Sequence, residues 1–565
     1  MTRTKKPGVF GTPGFSRMWI VLPPLLFLAV FYFYPLFRIF LLSFMPEGMW
    51  DAGGLEKLFR TGHYLRVLWF TTWQAALSTV LTLIAALPGA YVFARYNFPG
   101  KRLLQAFTTV PFVLPTVVVA AAFEALTGPH GLLNSWLMAW LDLPSPPIAP
   151  DRTVWAILLA HVFYNYTVVL RMVGGFWAGM GDDLTGAARM LGASPWTAFR
   201  KITLPLLRPV LFTAGLLIFI FCFSSFGVIL ILGGPRFATL EVEIYRQAVS
   251  YFNLPLAAAL SLLQILFTFG MMWAYTALQR RSAVALTPES RERTGRRASA
   301  PGERLMVGGN ILFMVMLLGL PLMALVIRSF STKTGPGLIY YRALFEDTTQ
   351  SLFFVPPADA VFHSLGFAGT TLIMALILGT LAATFLAGRK DRLTALLDPI
   401  FMLPLSTSAV TLGFGFIIAL DRPPLNLRTS VLLVPIAHTL VAFPFVVRSL
   451  LPALRSIPRS LREAASVLGA SPWQVWRSVD LPIVGRALLV GAVFAFTVSL
   501  GEFGATVFVA RPQTPTMPLA IYRFLGQPGA MNYGQAMAMS SLLMLVTATG
   551  FLLLEKARIG QAGEF

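Results

Sequence analysis

Long apolar stretches recur along the whole chain and alternate with short polar or basic segments. A helix that crosses the hydrocarbon core of a bilayer needs about 20 predominantly apolar residues, so each stretch predicts one membrane-spanning helix. The predicted fold class is an all-α integral membrane protein with about twelve transmembrane helices. We place the spans at residues 19–44, 69–94, 103–127, 153–178, 206–233, 254–278, 305–328, 362–387, 396–420, 430–453, 484–510 and 535–555.

The composition excludes several other classes of protein. Of the 565 residues, 56% are hydrophobic and only 12% are charged, whereas soluble proteins carry about 25% charged residues. So few charges cannot cover the surfaces of several soluble domains. The single cysteine, Cys222, can form neither an internal disulfide nor a cysteine-built metal site. A soluble enzyme, a disordered chain and a disulfide-rich secreted protein are thus excluded.

The basic residues are concentrated on one of the two faces that alternating spans create. Most of the 44 Lys and Arg residues fall on the face that holds the N-terminus, the centre of the chain and the C-terminus. The positive-inside rule predicts that this face is cytoplasmic, so both termini would be cytoplasmic. The net charge of +20 is then explained by orientation in the membrane, and we expect no nucleic-acid partner.

An internal repeat divides the chain into two parallel halves. Ala193-Ser194-Pro195-Trp196 recurs 277 positions later (470 − 193) as Ala470-Ser471-Pro472-Trp473. The same offset holds for more than 80 residues and relates His161 to His438 and Ile244-Tyr245-Arg246 to Ile521-Tyr522-Arg523. Both copies run in the same direction with six spans each, and parallel repeats of this kind are normally related by an axis along the membrane normal.

This repeat predicts the following organisation. The chain has a cytoplasmic N-terminus at 1–18, a first half at 19–278 with its core repeat at about 67–278, a polar and flexible cytoplasmic linker at 279–304, a second half at 305–555 with its core repeat at about 360–555, and a cytoplasmic tail at 556–565.

Each half has one long loop on the basic face, between its fourth and fifth spans. In the second half, Ser460 can cap a first short helix that ends at Gly469, and Glu463 can complete a capping box. Ser471 can start another short helix, and Leu481-Pro482 predicts a break before the next span.

The loop of the first half follows the same plan. Asp183 can cap its first short helix, which would end at Gly192. Ser194-Pro195 can start its second short helix, and Leu204-Pro205 predicts a break before the next span. Both loops carry apolar residues that would face the cytoplasm, and exposed apolar patches are typical of partner surfaces. These residues are Leu191, Trp196, Phe199, Leu468, Trp473 and Trp476.

The pattern Glu-Ala-Ala, three residues, Gly, nine residues, Ile-x-Leu-Pro resembles the cytoplasmic loop of binding-protein-dependent ABC importer permeases. The first loop departs from it at Gly186, where the family has Glu, and the second has Val479 in place of Ile. The matching positions are Ala187, Ala188, Gly192, Ile202, Leu204 and Pro205 in the first loop, and Glu463, Ala464, Ala465, Gly469, Leu481 and Pro482 in the second.

The resemblance implies a permease with a type I importer-like fold in a bacterial-type inner membrane. Its two loops would dock onto cytoplasmic ATP-binding cassette subunits, in two copies, and an extracytoplasmic solute-binding protein would deliver the solute. No Gly-Lys-Ser/Thr phosphate-binding loop occurs in the sequence. We therefore expect a chain that is not an enzyme and binds no cofactor, with ATP used by the partner subunits.

The fused halves and the segment Ala160-His161-Val162-Phe163 are similar to iron(III) and thiamine importers within the family. On this resemblance iron(III) is the first expectation for the cargo and thiamine the second. An ion-gradient-driven secondary transporter with two six-span repeats is the alternative. Such transporters carry charged motifs between spans 2 and 3 of each half, whereas here those loops are only Arg95–Arg102 and Gly388–Leu393 and hold a single acidic residue, Asp391.

Three polar residues within the spans are candidates for the substrate pathway, because ionisable and polar groups at membrane depth often serve function. Glu502 could attract a cation, its repeat equivalent is Ser225, and Asn165 lies in the fourth span. Glu502 and Asn165 could instead hydrogen-bond to a neighbouring helix. This is the role that we favour for Asn165, His161 and His438. The spacing of the histidines does not predict a metal site.

Overall fold

A computed structural model describes residues 14–46, 48–51, 53–148, 153–180, 183–282, 295–332, 334–346, 355–388, 391–421, 423 and 425–559. Most of the predicted N-terminal segment 1–18 lies outside these residues, as do parts of the linker 279–304 and of the tail 556–565. The described chain is almost entirely helical, with one two-stranded antiparallel ribbon of β1 (Ser331–Thr332) and β2 (Gly335–Pro336).

The helices that precede the linker are α1 (Gly14–Leu28), α2 (Tyr34–Phe44), α3 (Gly53–Arg60), α4 (Gly62–Arg95), α5 (Lys101–Val113), α6 (Thr116–Thr127), α7 (Leu132–Leu141), α8 (Val154–Gly179), α9 (Asp183–Met190), α10 (Pro195–Ala198), α11 (Leu204–Phe223), α12 (Gly227–Leu232), α13 (Leu240–Tyr245) and α14 (Leu254–Ser282). Three π-helical turns belong to this part, at Ala29–Phe33, Phe199–Thr203 and Arg246–Ser250.

The helices that follow the linker are α15 (Pro301–Phe330), α16 (Ile339–Arg342), α17 (Asp359–Gly388), α18 (Arg392–Met402), α19 (Ala409–Ala419), α20 (Leu433–Ser456), α21 (Arg459–Val467), α22 (Pro472–Val475), α23 (Leu481–Gly501), α24 (Thr506–Val509), α25 (Met517–Leu525) and α26 (Ala530–Ile559). A 3-10 turn at Leu403–Ser406 and a π-helical turn at Trp476–Asp480 complete this part.

The prediction of an all-α membrane protein with about twelve spans is confirmed. Among the described residues, eleven helical stretches are long and apolar enough to cross a membrane. A twelfth span exists if the helical segments Arg392–Ser406 and Ala409–Ala419 count as one, although they meet at an angle of 95°.

The predicted third and ninth spans are broken at equivalent positions of the repeat. Leu114 adopts an extended conformation between α5 and α6, where Pro115 follows it. Proline disfavours helical geometry in the residue before it and supplies no N–H to the helix. In the other copy the chain bends at the 3-10 turn that contains Leu403-Pro404.

The helices divide into two compact units whose members are not contiguous in sequence. The first unit comprises Met1–Leu41, Thr349–Leu519 and Leu545–Phe565. Its centre is formed by α17, α20 and α23, which pack against one another, and α1 packs on α17. The N-terminal helix thus packs on helices that follow the linker.

The second unit comprises Leu42–Thr348 and Ala520–Met544. Here α4 and α8 pack along their length, α11 packs on both of them, and α15 packs against α6. The first helix after the linker therefore packs on helices that precede it. The end of the linker is held in the same unit, because the Arg296 carbonyl accepts the Asn97 N–H and the Arg296 N–H donates to the Arg95 carbonyl. The Arg296 guanidinium also stacks over the Tyr96 ring.

The fifth and eleventh spans start and end earlier than predicted. The long helices end at Phe223 and Gly501, and after short breaks the chain forms the separate helices α12 and α24. Apolar composition continues through both breaks, so hydrophobicity alone places the spans too far along the chain. Gly504, in the second break, lies so close to Ala409 that an added Cβ would stand 3.1 Å from that residue's Cβ.

Close packing of α17 on α20 generates a testable prediction. A Cβ at Gly379 would lie 2.5 Å from Cγ1 of Val446, whereas a Cβ at Gly369 of the same helix has no neighbour within 4 Å. We expect Gly379→Ala to destabilise the protein by about 1–3 kcal/mol through overpacking. Gly369→Ala is the matched control, and it should be neutral or stabilising by up to about 1 kcal/mol, because alanine favours the helix.

The measurement is thermal unfolding of both variants in the same detergent. Equal melting temperatures for the two variants would show that α17 and α20 do not approach as closely as described.

Candidate functional site

The two loops of the basic face fold in the same way. The first loop joins α8 to α11 and the second joins α20 to α23. In each, a short helix ends at a glycine with a left-handed backbone, Gly192 (φ +89°) and Gly469 (φ +85°). The N–H of each glycine bonds to the carbonyl three residues back, and the next N–H bonds five residues back. This Schellman arrangement confirms the predicted role of both glycines.

Both loops then restart as a second short helix at a capping serine, as predicted. The hydroxyl oxygen of Ser194 accepts the Thr197 N–H at 3.2 Å, and that of Ser471 accepts the Gln474 N–H at 3.4 Å. The predicted cap at Ser460 is wrong, because α21 already begins at Arg459, directly after Pro458. The predicted cap of the first loop, Asp183, is the first residue of α9, and its side chain lies outside the described residues.

The predicted breaks at the Leu-Pro pairs are also wrong. The second short helix of each loop continues into the following span through a π-helical turn, at Phe199–Thr203 and at Trp476–Asp480. Pro205 and Pro482 lie two positions after the ends of these turns. Proline lacks an N–H and its ring clashes with the carbonyl of the preceding turn. A turn widened to π geometry accommodates it without ending the helix.

Apolar side chains project from the same place in both loops. Leu191 and Leu468 are 90% and 87% exposed, and Trp196 and Trp473 are 68% and 65% exposed. Phe199 and Trp476, which we expected to be exposed, are half-buried and stack beneath these tryptophans with ring centroids 5.6 and 5.1 Å apart. Each loop thus presents a leucine and a supported tryptophan, beside the equally exposed Met190 (91%) and Val467 (86%).

The remaining motif residues are either exposed or half-buried. Glu463, Ala464 and both motif glycines, Gly192 and Gly469, are exposed, and Gly186 leaves open space where the family has Glu. The half-buried members are Ala188, Ala465, Leu204 and Leu481, and the exposed ones are Ala187, Pro205 and Pro482. Their role in docking stays a prediction.

An ion pair within the second loop is not evident in the family pattern. The Arg462 Nε donates to Asp480 Oδ1 at 2.7 Å, and the two side chains are only 13% and 8% exposed. The repeat does point to this pair in the sequence. Arg462 and Asp480 are oppositely charged, whereas the equivalent positions of the first loop hold the uncharged Thr185 and Thr203.

Each of the two units contains a buried histidine that hydrogen-bonds to groups of the same unit. His161 bridges Ser78 Oγ (3.0 Å) and Ser225 Oγ (2.9 Å). Asn165 donates to the His161 carbonyl at 2.9 Å and to Cys222 Sγ at 3.4 Å. Ser225 follows the end of α11, so this bridge fastens the break in that span. The predicted hydrogen-bonding role of His161 is confirmed.

His438 occupies the equivalent position in the other copy. Its ring nitrogens bond to Ser499 Oγ (2.7 Å) and Thr506 Oγ1 (2.8 Å), and Nε2 lies 3.3 Å from Glu502 Oε2. The Glu502 carboxylate accepts the N–H groups of Ala505 (2.8 Å) and Thr506 (2.9 Å), which begin the next short helix.

Glu502, Ser225 and Asn165 are therefore all buried and engaged by neighbouring protein groups. Their location on a substrate pathway stays a prediction. Glu502 acts as the cap that satisfies backbone donors where the span is interrupted.

Comparisons with known proteins agree with this architecture. A family model described as "Binding-protein-dependent transport system inner membrane component" matches residues 78–284 and 375–556. The thiamine transport system permease protein ThiP of Brucella abortus is 28% identical over 481 residues, which cover 84% of this chain and 85% of the relative.

Two further relatives align over most of their length. ThiP of Salmonella typhimurium is 27% identical over 523 residues, covering 90% of this chain and 91% of the relative. A probable ABC transporter permease protein of Sinorhizobium fredii is 25% identical over 524 residues, covering 91% of each chain. The family model matches well over half of the chain, and the chain therefore belongs to the binding-protein-dependent ABC importer permeases, as a multi-pass inner membrane component.

Proposed function

We propose that this chain forms the translocation path of an ATP-driven importer for thiamine. Relatives that align over most of the chain carry the name of thiamine permeases, at 27–28% identity. These comparisons do not support iron(III), the first expectation from the sequence, and thiamine takes its place. Family membership also favours ATP over an ion gradient as the energy source.

The two loops are the proposed docking sites for two cytoplasmic ATPase subunits. The observation that carries this proposal is the repeated exposure of one leucine and one tryptophan, Leu191 with Trp196 and Leu468 with Trp473. Apolar anchors that fill pockets dominate the energy of protein interfaces. The exposed residues from Gly186 and Glu463 onward would lie at the rim of each contact. Both termini would share this cytoplasmic face.

The mechanism follows from the connection of each loop to a span. Because the short helix α22 runs without interruption through the π-helical turn into α23, a displacement of the loop displaces the span. ATP-driven closure of the ATPase subunits would rock the two repeats and open the path alternately outward and inward. A solute-binding protein would deliver thiamine on the opposite face. The chain itself would bind no cofactor.

Replacing an apolar anchor tests the docking surface. We expect Leu468→Asp to weaken ATPase binding by about 30-fold or more, because a charge replaces a residue that enters a partner pocket. Phe252→Asp is the matched control, since Phe252 is 79% exposed but follows α13, on the predicted outer face. The measurement is the amount of ATPase subunit that copurifies with the tagged full chain. Equal recovery with both variants would contradict docking at the second loop.

The cargo is tested in cells that cannot synthesise thiamine. Deleting the gene for this chain should abolish uptake of labelled thiamine and leave iron(III) uptake unchanged, and the wild-type gene should restore uptake. Uptake should stop when ATP is depleted and persist when the proton gradient alone is collapsed. Thiamine uptake that survives the deletion, or that follows the proton gradient, would overturn the assignment.

A substitution of Glu502 distinguishes a structural role of this residue from a role in the substrate pathway. Glu502→Gln keeps the size of the side chain but removes one acceptor for the two N–H groups that the carboxylate caps. We expect a loss of about 1–2 kcal/mol in stability and a KM for thiamine within about twofold of wild type. A KM raised more than about tenfold at unchanged stability would instead place this carboxylate on the path of the thiamine cation.

A further inference from the structure

Two tyrosines that occupy equivalent positions of the repeat contact each other. Tyr245 and Tyr522 are 277 positions apart (522 − 245), which is the offset of the whole repeat. Their side-chain hydroxyls are joined by a hydrogen bond. Tyr245 is the last residue of α13, Tyr522 lies in α25, and both belong to the second unit. Both are half-buried, so part of each side chain remains accessible.

A residue that touches its own repeat equivalent lies close to the axis that relates the two copies. A twofold rotation places equivalent residues on opposite sides of its axis at equal distances, so the axis passes between two hydroxyls that bond to each other. Parallel transporter repeats are normally related by an axis along the membrane normal, and the solute binds where the copies meet. The exchange of first helices agrees with such a rotation, because α1 packs on α17 and α15 packs on α4 and α6.

The contacts of α13 show its level in the membrane. Glu241 Oε1 accepts a hydrogen bond from Gln264 Nε2 at 3.0 Å, and Gln264 lies ten positions (264 − 254) into α14. Glu243 Oε1 lies 3.5 Å from Nε2 of His63, the second residue of α4. At 1.5 Å per residue, α13 therefore runs between a level about 15 Å along α14 and the first turn of α4. Because the spans alternate in direction, α4 and α14 both start on the face opposite the docking loops.

The surroundings hold the two tyrosines in place while leaving their contact weak. Ile244 and Ile521, the residues that precede them, are fully buried. The Phe226 ring packs edge-on against the Tyr245 ring with centroids 5.7 Å apart. By contrast, a single hydrogen bond between neutral groups is weak enough to break and form again in each transport cycle.

We propose that Tyr245 and Tyr522 form a gate that closes the translocation path on the side opposite the docking loops. In this structure the two hydroxyls meet at the axis, so the path is closed on that side. The rocking of the copies must separate them before thiamine can enter from the solute-binding protein. This inference rests on the proposed function and adds which residues close the path.

Removing the gate should make the path leak. Proteoliposomes that contain the full chain with its copurified ATPase subunits are loaded with labelled thiamine, and efflux is followed without ATP. We expect Tyr245→Ala with Tyr522→Ala to raise the efflux rate by about tenfold or more, because the closed state loses its hydrogen bond and both rings. Tyr251→Ala is the matched control, since Tyr251 directly follows the same π-helical turn and is 66% exposed. This control should leave efflux at the wild-type rate.

A cross-link should hold the gate shut, and it tests the same pair without removing its packing. Cys222, the single cysteine of the chain, is buried. Cysteines introduced as Tyr245→Cys and Tyr522→Cys can therefore be bridged selectively by a bifunctional methanethiosulfonate. The bridge should abolish ATP-driven thiamine uptake, and reduction should restore it. The wild type and each single variant, treated in the same way, should keep their rates.

The outcomes distinguish this inference from the proposed function. Wild-type efflux from an alanine pair that melts like the wild type would show that the tyrosines do not close the path. Uptake by the bridged protein at the rate of its single-cysteine controls would show that the pair does not open during transport. If the wild-type complex with its solute-binding protein carries no thiamine, the proposed function fails instead. Efflux of tetramethylammonium through the alanine pair then decides whether the gate exists.

Discussion

Backbone N–H and C=O groups have no water to bond to within the hydrocarbon core of a membrane, so every interruption of a spanning helix needs partners from the protein itself. Several buried polar groups of this chain lie at such interruptions. Where α23 ends, the Glu502 carboxylate accepts the N–H groups that open α24, and His438 holds the same carboxylate and Thr506 in place. A buried charge is thus explained by the helix break beside it.

The other breaks follow the same rule with neutral groups. The hydroxyl of Tyr164 donates to the Leu114 carbonyl, where proline separates α5 from α6. In the other copy, the hydroxyls of Tyr32 and Thr407 bond to each other beside the 3-10 turn. His161 fastens Ser225 at the end of α11 without any carboxylate. The two copies therefore keep the positions of their breaks while the chemistry that stabilises each break differs.

In the two cytoplasmic-type loops, by contrast, the local chemistry is the same in both copies and a longer-range contact differs. Their local geometry is duplicated, with a left-handed glycine, a capping serine and a π-helical turn before each Leu-Pro pair. These features depend on a few neighbouring residues, and the repeat carries those residues twice. The Arg462–Asp480 pair joins residues 18 positions apart, and the first loop has the uncharged Thr185 and Thr203 at the equivalent positions. Local rules thus preserve a common surface in both loops, whereas a longer-range contact distinguishes them.

The sequence by itself determined that the protein lies in a lipid bilayer, that it has about twelve spans and a twofold repeat, and that each loop has a glycine helix end and a serine cap. These features follow from hydrophobic length and from capping, which depend only on nearby residues. It misplaced the ends of the fifth and eleventh spans, since an apolar run continues through a break that only side-chain capping makes stable. It also gave no sign that α1 packs on α17, and α15 on α6. Only the tertiary structure decided these pairings and the partners of Glu502, because they depend on which apolar faces meet in space, and all the spans are similarly apolar along the chain.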